Sequence, residues 1–292
     1  IILFYWFRYG GTLSHDDKPE WDTIPTVVKE DIFFARATVP DLCALETVYK
    51  NPLRSEYTAS EEDINEAITR IVPNQFKDTW QQLDNPLYAF KKITKGPKIK
   101  KPKHIFFIVG ESIPQWSLDE THKLLNICPG LWNFKSQSHT VQIPNFLPAG
   151  NVSRPSIVSL MSGIYDAGLE INERESFWKG VFPTSFAHQM KRLGYQTIYW
   201  YGGNASYGNF NHFGKAQGFD RVESASIFCG PDAPKTWVGV YDHVFLENIE
   251  QQIKSINEPT FHFIYTTSNH GPYKMEDSLL DYDPEKVMPD VG

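Results

Sequence analysis

The sequence has few cysteines, no excess of basic side chains and no long apolar run, and each shortage excludes a class of protein. Its three cysteines form no C-x-x-C pair, which excludes a disulfide framework and a zinc knuckle; they are Cys43, Cys128 and Cys229. The 28 basic and 35 acidic side chains give a net charge of -7, which argues against a general nucleic-acid-binding protein. We therefore expect an ordinary globular chain with no nucleic-acid partner.

An apolar run of seven residues opens the sequence, from Ile1 to Phe7, and it ends at Arg8. A membrane-spanning helix needs about 20 apolar residues, so this run alone cannot cross a bilayer. It is either the tail of a membrane helix, with Trp6 at the interface, or a buried strand. Because the sequence has neither an initiator methionine nor the features of a signal peptide, we expect it to be a fragment.

Residues 8–85 have a polar, helical pattern with frequent glycine and proline turns and no catalytic spacing. Within them, Ser60 and Asp63 form a capping-box pattern ahead of an apolar stripe. This pattern predicts an amphipathic helix that ends near Val72.

A lysine-rich stretch without acidic residues runs from Lys91 to Lys103 and is interrupted by glycine and proline, as in a linker. It is either a solvated connection or a contact with anionic lipid headgroups. Since the character of the sequence changes after this stretch, we predict two parts, residues 1–102 and residues 103–292.

Beyond the linker the pattern alternates between strands and helices. Strands are predicted for His104–Val109, Tyr195–Tyr201 and Phe261–Tyr265, and helices for residues 184–193 and 240–256. This order predicts an α/β domain with a mostly parallel sheet and helices on both faces. The uninterrupted apolar run His104–Val109 predicts a strand that is buried on both of its faces.

Polar residues follow each of the three predicted strands. Glu111 follows the first strand, Asn204 the second and His270 the third. Open parallel sheets bind ligands beyond the carboxyl ends of their strands, so we expect these three side chains at one edge of the sheet. A carboxylate after so apolar a strand favours a metal or catalytic role for Glu111, with a surface carboxylate as the alternative. His270 is either a site residue or a simple turn residue.

Ser153 begins a short helical pattern in which Pro155 suits the first turn and Gly163 suits the end. A helix N-terminus favours anions, because its free N–H groups and its dipole point toward them. The Ser153 hydroxyl therefore either caps the helix or attacks a phosphorus or sulfur centre. Because the sequence has no G-x-S-x-G elbow, an α/β-hydrolase triad of Ser153 and His270 is a poor alternative.

Asp242 and His243 are adjacent and have the residue types of a metal pair. They fall within the predicted helix 240–256, where neighbouring side chains point about 100° apart. We therefore expect both to lie on a solvated helix face.

Five segments between Lys103 and Tyr273 form a specific combination of motifs. These segments are His104–Ser112, Asn151–Tyr165, Tyr201–Ser206, Gly218–Asp220 and Thr267–Tyr273. Together they resemble the lipoteichoic acid synthase and phosphoglycerol transferase branch of the sulfatase and alkaline phosphatase superfamily. Upstream, Arg8–Gly11 is similar to the stretch that follows the last membrane helix in such proteins.

The resemblance implies a bacterial, membrane-anchored enzyme whose catalytic domain lies outside the cytoplasm. Residues 1–102 would then be the end of a membrane helix and a mainly helical juxtamembrane segment, and residues 103–292 the N-terminal part of the catalytic domain. Such enzymes move a phospho-alcohol headgroup, of phosphoglycerol or phosphoethanolamine type, from a membrane phospholipid donor to an envelope glycan or lipid acceptor. The transfer passes through a covalent phospho-enzyme.

The resemblance also implies roles for individual residues. Ser153 would be the nucleophile and, together with Glu111, a ligand of Mn²⁺ or Mg²⁺, ions that prefer hard oxygen ligands. Such an ion would help the serine to attack as an alkoxide. His270 would contact the substrate headgroup and act as an acid or base. Asn204 would also contact the headgroup, at a position where many relatives have aspartate.

Two further features depart from the family pattern. An Asp-His pair after a later strand completes the metal site of the family, and its absence here predicts that the catalytic domain is truncated. Residues 153–157 come close to the S-x-P-S-R signature of formylglycine sulfatases, but Ile157 replaces the arginine. Headgroup transfer is therefore favoured over a sulfatase or phosphomonoesterase of the same fold. A non-catalytic headgroup-binding protein is the third alternative.

Overall fold

The computed structural model describes Leu3, Trp6 and residues 59–84, 86–90, 95–96, 99–143 and 146–271. The predictions for Ile1–Phe7 and Arg8–Gly11 fall almost entirely outside these residues. Most of the polar segment 8–85, part of the lysine-rich stretch, and Cys43 also lie outside them. Within the described part of the chain, no helix is both long enough and apolar enough to cross a membrane.

The chain divides into two compact units, and one boundary between them lies between Pro102 and Lys103. The assignment of residues 1–102 to a membrane-proximal part and of residues 103–292 to a catalytic part stays a prediction.

The unit within residues 41–102 contains the predicted amphipathic helix, α1 (Glu61–Ile71). The Asp63 N–H donates to Ser60 Oγ, and the Ser60 N–H donates to the Asp63 carboxylate, each at 3.1 Å. This reciprocal pair confirms the predicted capping box. Three short 3-10 helices follow, at Asn74–Phe76, Trp80–Gln82 and Pro86–Phe90. Val72, Trp80 and Ala89 form the small core of this unit.

The described part of the second unit, from Lys103 to Gly271, is built from strands and helices in alternation. The strands are β1 (His104–Val109), β2 (Gln196–Tyr201), β3 (Arg221–Ser224) and β4 (Thr260–Tyr265). The helices are α2 (Pro129–Lys135), α3 (Ser153–Ser162), α4 (Phe186–Arg192), α5 (Phe210–Ala216), α6 (Ala225–Phe228) and α7 (Asp242–Ile253). Short 3-10 helices lie at Gln115–Leu118, Glu120–Leu125, Ile171–Glu173, Glu175–Trp178 and Tyr207–Asn209.

The four strands form one parallel sheet in the order β1-β4-β2-β3. β4 lies between β1 and β2, and Tyr265 at its end is in register with both Val109 and Tyr201. The carboxyl ends of all four strands therefore lie at the same edge of the sheet. The predicted α/β fold with a parallel sheet is confirmed.

Helices cover both faces of this sheet, as predicted. On one face α3, α4 and α5 pack against Tyr199 and Phe263. On the other face α6 and α7 pack against Trp200 and Ile264. Since successive side chains of a strand point to opposite faces, β2 and β4 contribute to both cores and form the buried centre of the unit.

β1 is an edge strand of the described sheet, and only one of its faces is covered. Ile105 and Phe107 pack against the core that contains α3, whereas Phe106 is 49% exposed and Ile108 is 59% exposed. The prediction that β1 is buried on both faces is wrong. Helices α6 and α7 pack over β2 and β4, and the described chain places no helix over the second face of β1.

A chain of hydrogen bonds crosses the sheet from β2 through β4 to β1. The Trp200 indole Nε1 donates to His262 Nδ1 at 3.1 Å, so the proton of neutral His262 is on Nε2. That nitrogen lies 3.1 Å from His104 Nδ1, which accepts the proton in a second hydrogen bond. A second proton on His262, at Nδ1, would face the Trp200 indole N–H, and this hydrogen bond would be lost. His262 is fully buried, and burial, followed by His104 and Arg221, lowers its pKa to about 4.

We predict that the unfolding free energy falls by about 2 kcal/mol through His262 as the pH drops from 7 to 4, after allowance for solvent screening. The unfolded state binds a proton at the ordinary histidine pKa of 6.5, whereas the folded state resists protonation down to about 4. The stabilisation is therefore complete above pH 6.5 and is lost as the pH falls toward 4.

Urea unfolding of wild-type protein and of the His262→Gln variant between pH 4 and 8 measures this effect. We expect a flatter pH dependence in the variant, whereas His243→Gln, at an exposed position, keeps the wild-type slope. Equal slopes in wild type and His262→Gln would contradict the assignment.

Candidate active site

The carboxyl edge of the sheet brings the ends of β1 and β4 together. The Thr266 N–H donates to Val109 O at 3.1 Å, and the Glu111 N–H donates to Thr266 Oγ1 at 3.2 Å. These two bonds extend the pairing of the strands by one step beyond their ends. They hold the backbone of Glu111 directly over the end of β4.

Helix α3 brings Ser153 to this edge. Ser153 is its first residue, and the N-cap position before it is Val152, which has extended backbone and makes no side-chain cap. The Ser153 hydroxyl lies 3.0 Å from Glu111 Oε1 and 2.9 Å from Oε2, and it donates to this carboxylate. Ser153 is thus at a helix N-terminus as predicted, and its hydroxyl bonds to Glu111 instead of capping the helix.

The Glu111 carboxylate is only 8% exposed and is surrounded by hydroxyl groups. Ser112 Oγ donates to Oε1 at 2.9 Å, and the Tyr265 hydroxyl donates to Oε2. Ser112 has a φ of 49°, in the left-handed region that serine rarely adopts, which turns its side chain back onto Glu111. Burial, followed by Tyr201 and the bonded Glu111, raises the pKa of Tyr265, so its hydroxyl keeps its proton and donates.

No basic side chain in the described part of the chain forms an ion pair with Glu111. Arg154, the residue after Ser153, is directed to Tyr207, whose hydroxyl it contacts at 3.0 Å, and to Glu173 at 3.4 Å. A buried carboxylate normally has a cationic partner, because three hydroxyl donors do not neutralise its charge. Among the described residues only hydroxyl groups meet this carboxylate, so it is suited to binding a cation.

The donors present at Glu111 fit a hard divalent cation. They are a carboxylate and three hydroxyl oxygens, with no sulfur or imidazole among them, and such oxygens are the ligands that Mg²⁺ and Mn²⁺ prefer. Within the described ranges, no group of three or more His, Cys, Asp or Glu side chains could hold a metal. Glu111 and Ser153 would thus hold one side of a cation.

His270 lies beyond the end of β4, at the same edge of the sheet. Its Nδ1 is 2.9 Å from Gly271 O, so Nδ1 carries the proton and donates, and Nε2 is left as the acceptor nitrogen. The Trp237 Nε1–H donates to the same carbonyl at 3.0 Å, and the two rings meet edge to face at 5.0 Å. This arrangement fixes the orientation of the imidazole.

Asn204 lies beyond β2 and is buried, with its Oδ1 accepting the Ser206 N–H at 3.0 Å. The glycines before it allow close approach of other groups. A Cβ on Gly203 would lie 2.9 Å from Val238 O, and one on Gly202 would lie 2.9 Å from Thr267 Oγ1. Asn204 and His270 thus follow β2 and β4 at the same edge of the sheet, and Glu111 and Ser153 are in direct contact there.

Asp242 has a structural role that the sequence analysis missed. It is the first residue of α7, and its Oδ1 accepts the N–H groups of Thr267 at 2.9 Å and Ser268 at 3.0 Å. The Asp242 N–H donates to Ser268 Oγ at 2.6 Å. The prediction of a solvated face is wrong for Asp242 and right for His243, which is exposed. Asp242 anchors the loop that carries His270.

Tyr265 is the other residue that the sequence analysis missed. It is the last residue of the apolar run of β4, where an aromatic side chain is an ordinary core residue. The sequence signal that would have identified Tyr265 is the face of β4 to which the alternation of side chains assigns it. Tyr265 shares the sheet face of Phe263, onto which α3 packs, and it is the residue of that face nearest to the carboxyl edge.

Two solved structures are similar to the chain. One is a protein in the alkaline phosphatase superfamily from Vibrio parahaemolyticus, at 23% identity, with 47% of this chain and 34% of that chain covered and a TM-score of 0.37. The other is the lipoteichoic acid synthase LtaP from Listeria monocytogenes, at 19% identity, with 47% and 34% covered and a TM-score of 0.39.

The chain thus spans about a third of the length of these solved structures. No curated protein matches the sequence significantly. Residues 103–289, which begin just before β1 and contain Glu111, Ser153, Asn204 and His270, match the sulfatase family. Because this match covers more than half of the sequence, the chain belongs to the sulfatase family.

Proposed function

We propose that Ser153 is the nucleophile of a metal-dependent enzyme that transfers a phospho-alcohol headgroup from a membrane phospholipid. One observation carries this proposal. The Ser153 hydroxyl lies at the N-terminus of α3 and within 3.0 Å of both oxygens of a buried carboxylate that lacks a cationic partner in the described chain. A nucleophile, a site for a cation and free helix N–H groups for an anion thus coincide at Ser153.

In the first half of the reaction, Ser153 Oγ bonds to the donor phosphorus. The serine gives up its hydroxyl proton, and the bond between phosphorus and the diacylglycerol oxygen breaks. That oxygen takes up a proton, and diacylglycerol leaves. The product on the enzyme is a phosphodiester between Ser153 and the headgroup alcohol.

In the second half, an acceptor hydroxyl attacks the same phosphorus and loses its proton. The bond from phosphorus to Ser153 Oγ breaks, and Oγ regains a proton. His270 is suited to move these protons, because its Nδ1–H is held by Gly271 O and its Nε2 is left to accept or return a proton. Asn204 would contact the headgroup.

Glu111 and Ser153 would hold the divalent cation, Mn²⁺ or Mg²⁺. When bound there, it would neutralise phosphoryl charge and favour the alkoxide form of the serine. Glu111 has a further role before the substrate binds, since its two oxygens keep the Ser153 hydroxyl directed toward the carboxyl edge of the sheet.

The partners and location follow from the sequence resemblance. The donor is a membrane phospholipid with a phosphoglycerol or phosphoethanolamine headgroup, and the acceptor is a glycan or lipid of the bacterial envelope. The full-length protein is anchored in the membrane, and its catalytic domain lies outside the cytoplasm. No nucleic acid takes part.

Two alternative functions differ from headgroup transfer in the step that follows binding of the substrate at Ser153. A sulfatase or phosphomonoesterase of the same fold would pass the group to water, and a pseudoenzyme would bind the headgroup without turnover. Formylglycine sulfatases have arginine where this chain has Ile157, and Ile157 is only 1% exposed within the apolar core around α3. A buried apolar side chain at this position favours phosphotransfer.

We predict that the headgroup can be trapped on Ser153. Full-length protein with Mn²⁺ and a headgroup-labelled phospholipid is quenched in acid, and the peptide that contains Ser153 is analysed by mass spectrometry. We expect one phosphodiester-linked headgroup on Ser153 in the wild type and in Ser159→Ala. Ser159 is a matched control, since its hydroxyl is on the same helix, buried and without a hydrogen-bond partner.

The fate of the label separates the alternatives. Label found in an alcohol acceptor would support transfer. Label released by reaction with water would show that the enzyme is a hydrolase and not a transferase. Donor binding without turnover would point to a pseudoenzyme. Turnover with the headgroup on a residue other than Ser153 would overturn the proposal.

A further inference from the structure

We propose that Tyr265 is a positioning residue whose hydroxyl sets the orientation of the Glu111 carboxylate toward Ser153. This inference rests on the proposed function of Ser153 and Glu111. It extends that function to Tyr265, which lies on β4, the strand between β1 and β2.

The hydroxyl of Tyr265 bonds to a carboxylate oxygen that also bonds to Ser153. It donates to Glu111 Oε2, the same oxygen that lies 2.9 Å from Ser153 Oγ. Each carboxylate oxygen has two lone pairs, so this bond leaves Oε2 able to bind a second partner. Tyr265 therefore restricts the carboxylate without blocking it.

The ring of Tyr265 is held rigidly, which is what a positioning role requires. It stacks on Tyr201 at 5.1 Å with an interplanar angle of 5°, and Tyr201 in turn packs edge to face on Phe210 at 5.7 Å. The next residue, Thr266, is bonded to Val109 O. A glutamate side chain has three rotatable bonds, and a fixed phenol hydroxyl selects one arrangement among its rotamers.

The sheet provides a matched control in Tyr199. Like Tyr265, Tyr199 is buried on the face that packs against α3, but its hydroxyl has no hydrogen-bond partner among the described residues. Tyr199→Phe and Tyr265→Phe each remove one buried oxygen and keep the ring. Any difference between the two variants therefore reports on the contact with Glu111.

The test measures Mn²⁺ binding by calorimetry and turnover kinetics in full-length wild type, Tyr265→Phe and Tyr199→Phe. In Tyr265→Phe we expect the Mn²⁺ dissociation constant to rise at least about tenfold and kcat to fall about tenfold. The KM for the phospholipid should stay within about twofold, since the ring and the surrounding backbone are retained. Tyr199→Phe should match the wild type in all three quantities.

Unchanged or tighter Mn²⁺ binding by Tyr265→Phe would overturn the inference, and so would equal losses in both variants. The outcome is distinct from that of the proposed function. If wild-type Ser153 carries the headgroup and Tyr265→Phe forms the adduct at the wild-type rate, the positioning role fails and the nucleophile stands. If Mn²⁺ affinity falls in Tyr265→Phe but wild-type Ser153 is never modified, the nucleophile fails and the positioning of Glu111 stands.

Discussion

Turnover of the Ser153→Ala variant is expected to fall by at least about 10³-fold, because the proposed covalent intermediate forms on its hydroxyl. The Ser153 hydroxyl makes the hydrogen bonds to Glu111, and alanine is compatible with a helix start. Steady-state kinetics with a phospholipid donor, together with mass spectrometry of the quenched protein, measures this loss. The variant should show neither turnover nor adduct, while still binding the donor.

Ser153→Thr provides the rescue for this experiment. Threonine restores a hydroxyl at the first position of α3, so we expect turnover to return to within about tenfold of the wild type. Ser159→Ala should behave as the wild type, because its buried hydroxyl makes no hydrogen bond. Wild-type turnover in Ser153→Ala would show that the reaction does not pass through this serine.

Glu111→Gln is expected to weaken Mn²⁺ binding by at least about 100-fold and to lower turnover by about 10³-fold. The substitution keeps the shape of the side chain but removes the buried charge. It also places an amide N–H₂ among hydroxyl groups that donate to the wild-type carboxylate. Isothermal calorimetry and steady-state kinetics measure the two losses.

Thermal unfolding with and without metal gives a second readout for Glu111→Gln. Without metal, the removal of a buried charge and the loss of hydroxyl hydrogen bonds act in opposite directions, so the unfolding midpoint should change little. With Mn²⁺ in excess, the wild type gains stability in proportion to the logarithm of the metal concentration, and the variant should not. Glu250→Gln, on an exposed face of α7, should behave as the wild type in both states. An equal gain from Mn²⁺ in wild type and Glu111→Gln would exclude Glu111 as a ligand.

The layer structure of the domain could be predicted from the sequence because the apolar runs are long and clearly bounded. β1 is predicted at its observed bounds, and β4 begins one residue before the predicted start. β3 was not predicted, because Arg221–Ser224 has four residues and only one apolar side chain. The order of the strands also could not be predicted, since it depends on which strands pair edge to edge through hydrogen bonds.

The approach of Ser153 to Glu111 could be predicted from topology and motif, but the surroundings of Glu111 could not. Because Glu111 follows β1 and Ser153 begins a helix, the sequence indicated that both lie at one edge of a parallel sheet. Tyr265 reads in the sequence as a core aromatic, because its contact with Glu111 arises only when β4 pairs with β1. Asp242 was misassigned for the same reason, since its partners Thr267 and Ser268 belong to a different strand end.

The central claim is that one serine oxygen and one glutamate oxygen bind the same dication. Anomalous diffraction from crystals of the full-length protein grown with Mn²⁺, recorded at the manganese edge, tests it most directly. We predict a single strong peak at about 2.1 Å from both Ser153 Oγ and a Glu111 carboxylate oxygen. A manganese peak that contacts neither side chain would contradict the account.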